Sequence, residues 1–156
     1  MKTSEHGDEF VDHNEGEVNH VYTDAAGKKT VGVGHLVKAG ESFVGVLSHE
    51  EILALLAGDL SVAEAAVNGG CPAAAAGTLP QNAFDALVDF AFNCGGGAFA
   101  LSSVRKRVNA GDMPGAASAF ELWDKRLDPD SGQLVVDAGL LARRKREAAL
   151  FLTPDA

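Results

Sequence analysis

The sequence predicts an α+β fold that is mostly α: a small N-terminal β-hairpin lobe, a long connector helix and a helical C-terminal lobe. Three observations carry this. Val-, Thr- and Tyr-rich runs flank a turn segment between residues 20 and 33. Ser48 with Glu51 forms a capping box ahead of an apolar run at helical spacing. From residue 80 onward, apolar residues recur at helical intervals almost to the end. With 156 residues, 46% of them hydrophobic, the chain makes a single domain over 1–156, able to bury roughly two-thirds of its unfolded surface without a metal or disulfide.

A first helix is expected over 4–14, with Phe10 and Val11 as core contacts and Gly16 as terminator, so that Glu15 sits at its end, partly shielded. Strands over 20–23 and 30–33 follow, joined by the turn segment Asp24-Ala25-Ala26-Gly27-Lys28. Ser48 then caps a helix in which Ile52, Leu53, Leu55, Leu56, Leu60 and Val62 share helical spacing to about residue 67. Some 20 residues long, it suits a connector between lobe 1, about 12–58, and a helical lobe of about 70–156 that also takes the N-terminal helix. Residues 69–77 read as a loop with at most a short helical turn. The run 80–93 is apolar nearly all round and marks a buried central helix, ended by Gly95-Gly96-Gly97. Ser102 or Ser103 caps a helix to Asn109, Asp112 with Pro114 opens another to about Trp123, and the last spans 140–152. Residues 124–138 read as an irregular loop.

The net charge of −9 is uneven: residues 1–60 hold 11 acids and 4 bases, whereas residues 100–156 hold 8 acids and 9 bases. Such a chain lacks the basic surface that nucleic-acid binding requires, so no nucleic acid partner is expected. Arg105-Lys106-Arg107 reads as a solvated helix face, while Arg143-Arg144-Lys145-Arg146 is expected to turn at least one arginine inward. Cys71 and Cys94 fit no CxxC spacing and are read as free thiols, with a disulfide left open. The five histidines match no metal-ligand spacing, so neither a metal nor another cofactor is expected. The first residues carry no apolar signal core, and no run approaches the roughly 18 apolar residues of a membrane span. The expectation is a monomer without membrane insertion, synthesised in the cytoplasm without a signal peptide.

The chemistry concentrates in Glu15, Asp24 and Thr30. Hydrolysis of a glycosidic bond needs one carboxylic acid kept protonated for the leaving oxygen and one ionised carboxylate on the other face of the sugar. Glu15 at a helix end suits the acid, and Asp24 beside a polar turn suits the carboxylate. Thr30 supplies a hydroxyl to hold a water against the anomeric carbon, which makes single displacement with inversion the expected course.

Beyond spacing, the run Glu15-Gly16, Tyr22, Asp24, Gly27 and Thr30-Val31-Gly32-Val33-Gly34-His35-Leu36 resembles the catalytic segment of the phage-type lysozymes, glycoside hydrolase family 24. The likeness continues in order through Phe84-Asp85-Ala86-Leu87-Val88-Asp89-Phe90-Ala91-Phe92-Asn93-Cys94-Gly95, the segment 109–117, Trp123 and the segment 139–151. The resemblance implies a lysozyme-like two-lobe fold. It also implies a muramidase of bacterial peptidoglycan, cleaving the β-1,4 bond between N-acetylmuramic acid and N-acetylglucosamine and acting as a phage or prophage endolysin released with a separate holin. Carried over by position, Glu15 is the general acid, Asp24 the second carboxylate and Thr30 the water-positioning residue.

Gly34, Leu36, Phe92 and Ser103 match cleft positions of that family, although Phe92 equally suits a core aromatic. The resemblance further implies an ion pair between His35 and Asp59, and an arginine reaching the catalytic acid at Arg143, with Arg144 as the alternative register. Where the family shows apolar and basic residues after Glu-Gly, this chain has Glu17, Val18 and Asn19. Glu17 places a second negative charge near the acid, and the overall acidity implies salt-sensitive binding to an anionic polymer. The competing readings are a catalytically silent peptidoglycan-binding relative, a glycosidase of chitin-like polymers, and an antibacterial effector.

Overall fold

The computed structural model describes residues 1–24 and 27–155. It comprises two compact units, Thr3–Ser61 on one side and Met1–Lys2 with Val62–Ala156 on the other.

In the first unit, α1 (Glu5–Glu15) starts where Ser4 Oγ accepts from the Gly7 amide at 3.0 Å, and it ends at Gly16. Val11 is fully buried, whereas Phe10 is only half-buried. Three antiparallel strands follow in the order β1 (Val18–Thr23), β2 (Lys29–Gly32) and β3 (His35–Leu36). Tyr22 pairs with Thr30, Thr23 with Lys29 and Thr30 with Leu36, with an irregularity in the register between Val18 and Tyr22. The sequence predicts only a hairpin, because a two-residue strand is too short to show alternation. Within the expected turn, Ala25 and Ala26 lie outside the described residues.

Next comes α2 (His49–Asp59), opened by the expected capping box: Ser48 Oγ accepts from Glu51 N at 3.2 Å, and Glu51 Oε2 accepts from Ser48 N at 2.7 Å. Ile52 and Leu56 form its buried face. Gly32 has φ +64, and a Cβ there would stand 3.3 Å from Ile52 Cγ2, so both backbone and packing favour glycine between sheet and helix. The sequence assigns the first helix to the helical lobe; in the structure α1 packs on α2 and belongs with the sheet. The reason is local, since the narrow buried stripe of Gly7 and Val11 needs only one neighbouring helix to cover it.

The predicted connector over 48–67 is two helices. It breaks at Leu60, and α3 (Ser61–Gly70) follows. Gly58 and Asp59 are poor helix formers, and the Asp59 carboxylate is engaged by His35. Then come α4 (Pro72–Ala75), α5 (Gln81–Cys94), α6 (Gly96–Leu101), α7 (Ser103–Asn109), α8 (Met113–Phe120), β4 (Lys125–Leu127), β5 (Leu134–Val136) and α9 (Ala138–Leu152).

Helix α5 is the core of this unit, buried without interruption over 83–91 and packed along α9. The Phe90 ring meets Phe120 at 5.2 Å, Trp123 at 5.4 Å and Phe99 at 6.4 Å, edge to face in each case. Three elements of this unit differ from the sequence expectation. Gly95 alone ends α5, and Gly96 already begins α6, whose Phe99 supplies the apolar anchor. Helix α8 stops at Phe120 instead of Trp123. Residues 124–138 hold the β4–β5 hairpin, not an irregular loop, because Asp128 organises the turn: its amide donates to Gln133 O at 2.8 Å and its carboxylate accepts from Ser131 Oγ at 2.6 Å. Cys71 and Cys94 are free, and burial pushes both thiols up to about 11.

Candidate active site

The three residues singled out by the sequence all lie in the unit Thr3–Ser61. Glu15 is the last residue of α1; the Gly16 amide donates to Asp12 O at 2.7 Å with φ +79, turning the chain away at once. Glu15 is therefore exposed, more open than the partial shielding expected from the sequence.

Asp24 follows β1 and is fixed by the opposite arm of the hairpin. Lys28 N donates to Asp24 Oδ1 at 2.8 Å, while the Asp24 amide donates to Lys28 O at 2.9 Å. One carboxylate oxygen is thus held by the backbone. Thr30 lies on β2, only 3% exposed, and its hydroxyl donates to Lys28 O at 3.3 Å. With its proton so engaged, the Thr30 oxygen is left as an acceptor. The Lys28 peptide group thereby orients both Asp24 and Thr30.

Gly34 lies in the β2–β3 turn, exposed, and Leu36 on β3 is 44% exposed beside Thr30 in the register. Between them His35 is 4% exposed. Its Nδ1 lies 2.7 Å from Asp59 Oδ2, the pairing implied by the resemblance, and its Nε2 lies 2.9 Å from Glu41 Oε2, a contact not foreseen. Burial pushes the His35 pKa down, but the hydrogen bonds that the protonated ring donates to Glu41 and Asp59 outweigh it and leave the value raised. The Phe43 ring stands edge-on to the imidazole at 6.0 Å.

Glu17 is engaged by His49, whose Nδ1 is 2.9 Å away. This hydrogen bond raises the His49 pKa, while burial and then the charge of Glu17 raise that of Asp12. Ligating atoms of Asp12, Glu17 and His49 lie within 4.8 Å of one another. Spacing along the chain conceals this group, since its members come from a helix end, a strand approach and a helix start.

In the helical unit, Phe92 on α5 and Ser103 at the start of α7 are each half-buried, while Ser102 is the cap of α7, accepting from Arg105 N at 3.1 Å. Both Arg143 and Arg144 turn inward, at 5% and 1% exposure. The Arg143 guanidinium donates to Asp89 Oδ1 at 2.6 Å and to Glu147 Oε1 at 3.3 Å. Arg144 donates to Asn93 Oδ1 at 2.9 Å and to Glu147, and lies 5.0 Å over the Phe90 ring. Burial, and then the neighbouring Asp89, push the Glu147 pKa well up. Asp89 and Glu147 were not singled out from sequence. Their signals were two acids, Asp85 and Asp89, inside an otherwise apolar helix, and the i,i+4 spacing of Arg143 and Glu147.

A family model described as phage lysozyme matches residues 12–147. The endolysin of Salmonella phage P22 is 37% identical, with 98% of this chain and 99% of that protein covered. Among solved structures, the muramidase domain of SpmX from Asticaccaulis excentricus is similar at 36% identity and a TM-score of 0.83, covering 99% of both chains. An endolysin from Escherichia coli O157:H7 phage FAHEc1 follows at 33% identity and a TM-score of 0.81, covering 97% of this chain and 94% of that one.

Proposed function

Because the chain belongs to the phage lysozyme family and is a peptidoglycan-degrading glycoside hydrolase, a muramidase, we propose that it cleaves the β-1,4 bond after N-acetylmuramic acid by single displacement with inversion. Glu15 is the general acid, donating to the leaving oxygen. Asp24 is the ionised carboxylate on the opposite face of the sugar, and Thr30 holds the attacking water. The observation that carries this reading is the double use of Lys28: its amide fixes Asp24 Oδ1 at 2.8 Å, and its carbonyl accepts the Thr30 proton at 3.3 Å. A water donating one hydrogen to Thr30 Oγ1 and the other to Asp24 keeps a lone pair for the anomeric carbon.

Gly34, Leu36, Phe92 and Ser103 contact the glycan in this reading. Arg143, whose guanidinium is held by Asp89 and Glu147, keeps in this reading the supporting role toward the catalytic acid that the resemblance implies, as a forked and permanently charged donor. No single helix among the described residues is long and apolar enough to cross a membrane. Phage endolysins act on the cell wall after release; the chain works there as a monomer, bacterial peptidoglycan is its substrate, and a separate holin releases it. Mass spectrometry of muropeptides from digested cell walls tests the bond assignment. Muramic acid at the new reducing ends is expected, and glucosamine there would contradict it.

A further inference from the structure

His35 faces a carboxylate at each ring nitrogen. A neutral imidazole carries one N–H and can donate to only one of them, so Asp59 and Glu41 are both served only when the ring is protonated. Glu41 has a second task, because the same Oε2 accepts from the Lys38 amide at 2.8 Å and closes the turn after β3, in which Glu41 N donates to Lys38 O at 3.1 Å. The charged groups around the ring are Asp59 from α2, and Glu41 and Lys38 from the segment after β3; Lys38 Nζ lies 3.9 Å from Asp59 Oδ1. The Phe43 edge completes the surroundings. His35 therefore ties together β3, the segment that follows it and the end of α2. Its two neighbours in the chain are Gly34 and Leu36, and Leu36 stands opposite Thr30.

We propose that Glu41 is a positioning residue for glycan binding: accepting from protonated His35 opposite Asp59, it fixes β3 so that Gly34 and Leu36 hold the sugar, and it loosens that surface when His35 deprotonates. This rests on the glycan-contact role assigned above to Gly34 and Leu36. Once the ring is neutral and donates to Asp59, the Nε2 lone pair meets the Glu41 carboxylate, and the contact turns repulsive. The raised pKa of His35 is the thermodynamic counterpart of the same two contacts. Because Glu41 acts through a strand that binds, its loss weakens KM and spares kcat.

The test follows KM and kcat on solubilised peptidoglycan, together with the His35 ring signals by NMR, across pH 5 to 9 or thereabouts for the parent, Glu41→Gln and Glu41→Asp. In the parent, KM is expected to rise severalfold as His35 loses its proton. In Glu41→Gln, His35 titrates at lower pH, KM is already raised on the acid side and its step is lost, while kcat hardly changes; Glu41→Asp restores part of the step. A Glu41→Gln protein that keeps the parent KM profile, or whose His35 titrates as in the parent, overturns the proposal. If the parent cleaves no peptidoglycan, the catalytic reading fails on its own, and calorimetric binding of the same fragments reads the positioning role in place of KM.

Discussion

Arg143 Nη2 on α9 donates to Asp89 Oδ1 on α5 across 2.6 Å, with the arginine side chain 6% and the aspartate 0% exposed. A charge pair so deep in a core contributes little compared with an apolar pair of the same volume, but removing one partner strands the other. Its place beside Glu147 and Arg144 makes it the electrostatic centre of the helical unit.

Asp89→Ala is therefore expected to destabilise by about 3–5 kcal/mol, the cost of an uncompensated buried charge, measurable by urea unfolding at neutral pH. Arg143→Ala should carry a similar stability cost and lose more activity than Lys145→Ala or Arg146→Ala, whose side chains are exposed. Equal activity in the three variants would remove Arg143 from the support of the catalytic acid.

The pH dependence of stability should show His35. Its folded pKa is raised, so its contribution is fully present below the unfolded value of about 6.5 and is lost as pH rises through the folded value. The parent should accordingly exceed Asp59→Asn by about 1 kcal/mol on the acid side of that window, an ordinary hydrogen-bond contribution, and by less on the alkaline side. Chemical denaturation at a series of pH values measures this, and a gap that widens with rising pH would contradict it.

Thr30→Ala should remove activity while the hairpin stays paired, because the hydroxyl donates to Lys28 O and the backbone register does not depend on that bond. The stability cost expected is about 1 kcal/mol. NMR of the freshly formed reducing ends reads the anomer directly: inversion is expected in the parent, and retained configuration would end the water-positioning role.

Features encoded by neighbours in the chain were legible in the sequence. Ser48, Asp112 and Asp137 each cap a helix through contacts two or three residues away, and of these only Asp137, hidden in what reads as a loop, escapes sequence inspection. The apolar run around Phe90 marks the core helix for the same reason, since burial on all sides leaves no polar face. What escapes is short or non-local. Strand β3 has two residues, the β4–β5 hairpin depends on the Asp128 turn, and the pairing of the Asp59 carboxylate with His35 joins residues 24 apart. Glu15, Asp24 and Thr30 stand out by residue type and by resemblance and Asp89 by its charge in an apolar helix, whereas Glu41 becomes visible only once folding brings it to His35.

Donation by Glu15 of the proton that breaks the glycosidic bond is read by the rate of muropeptide release from the parent and from Glu15→Gln, quantified by mass spectrometry beside their melting temperatures. A positioned general acid contributes about 10²- to 10⁴-fold, and Gln is nearly isosteric at an exposed helix end. The expected result is a fall in release of that size with little change in melting. Release by Glu15→Gln at close to the parent rate would contradict the assignment.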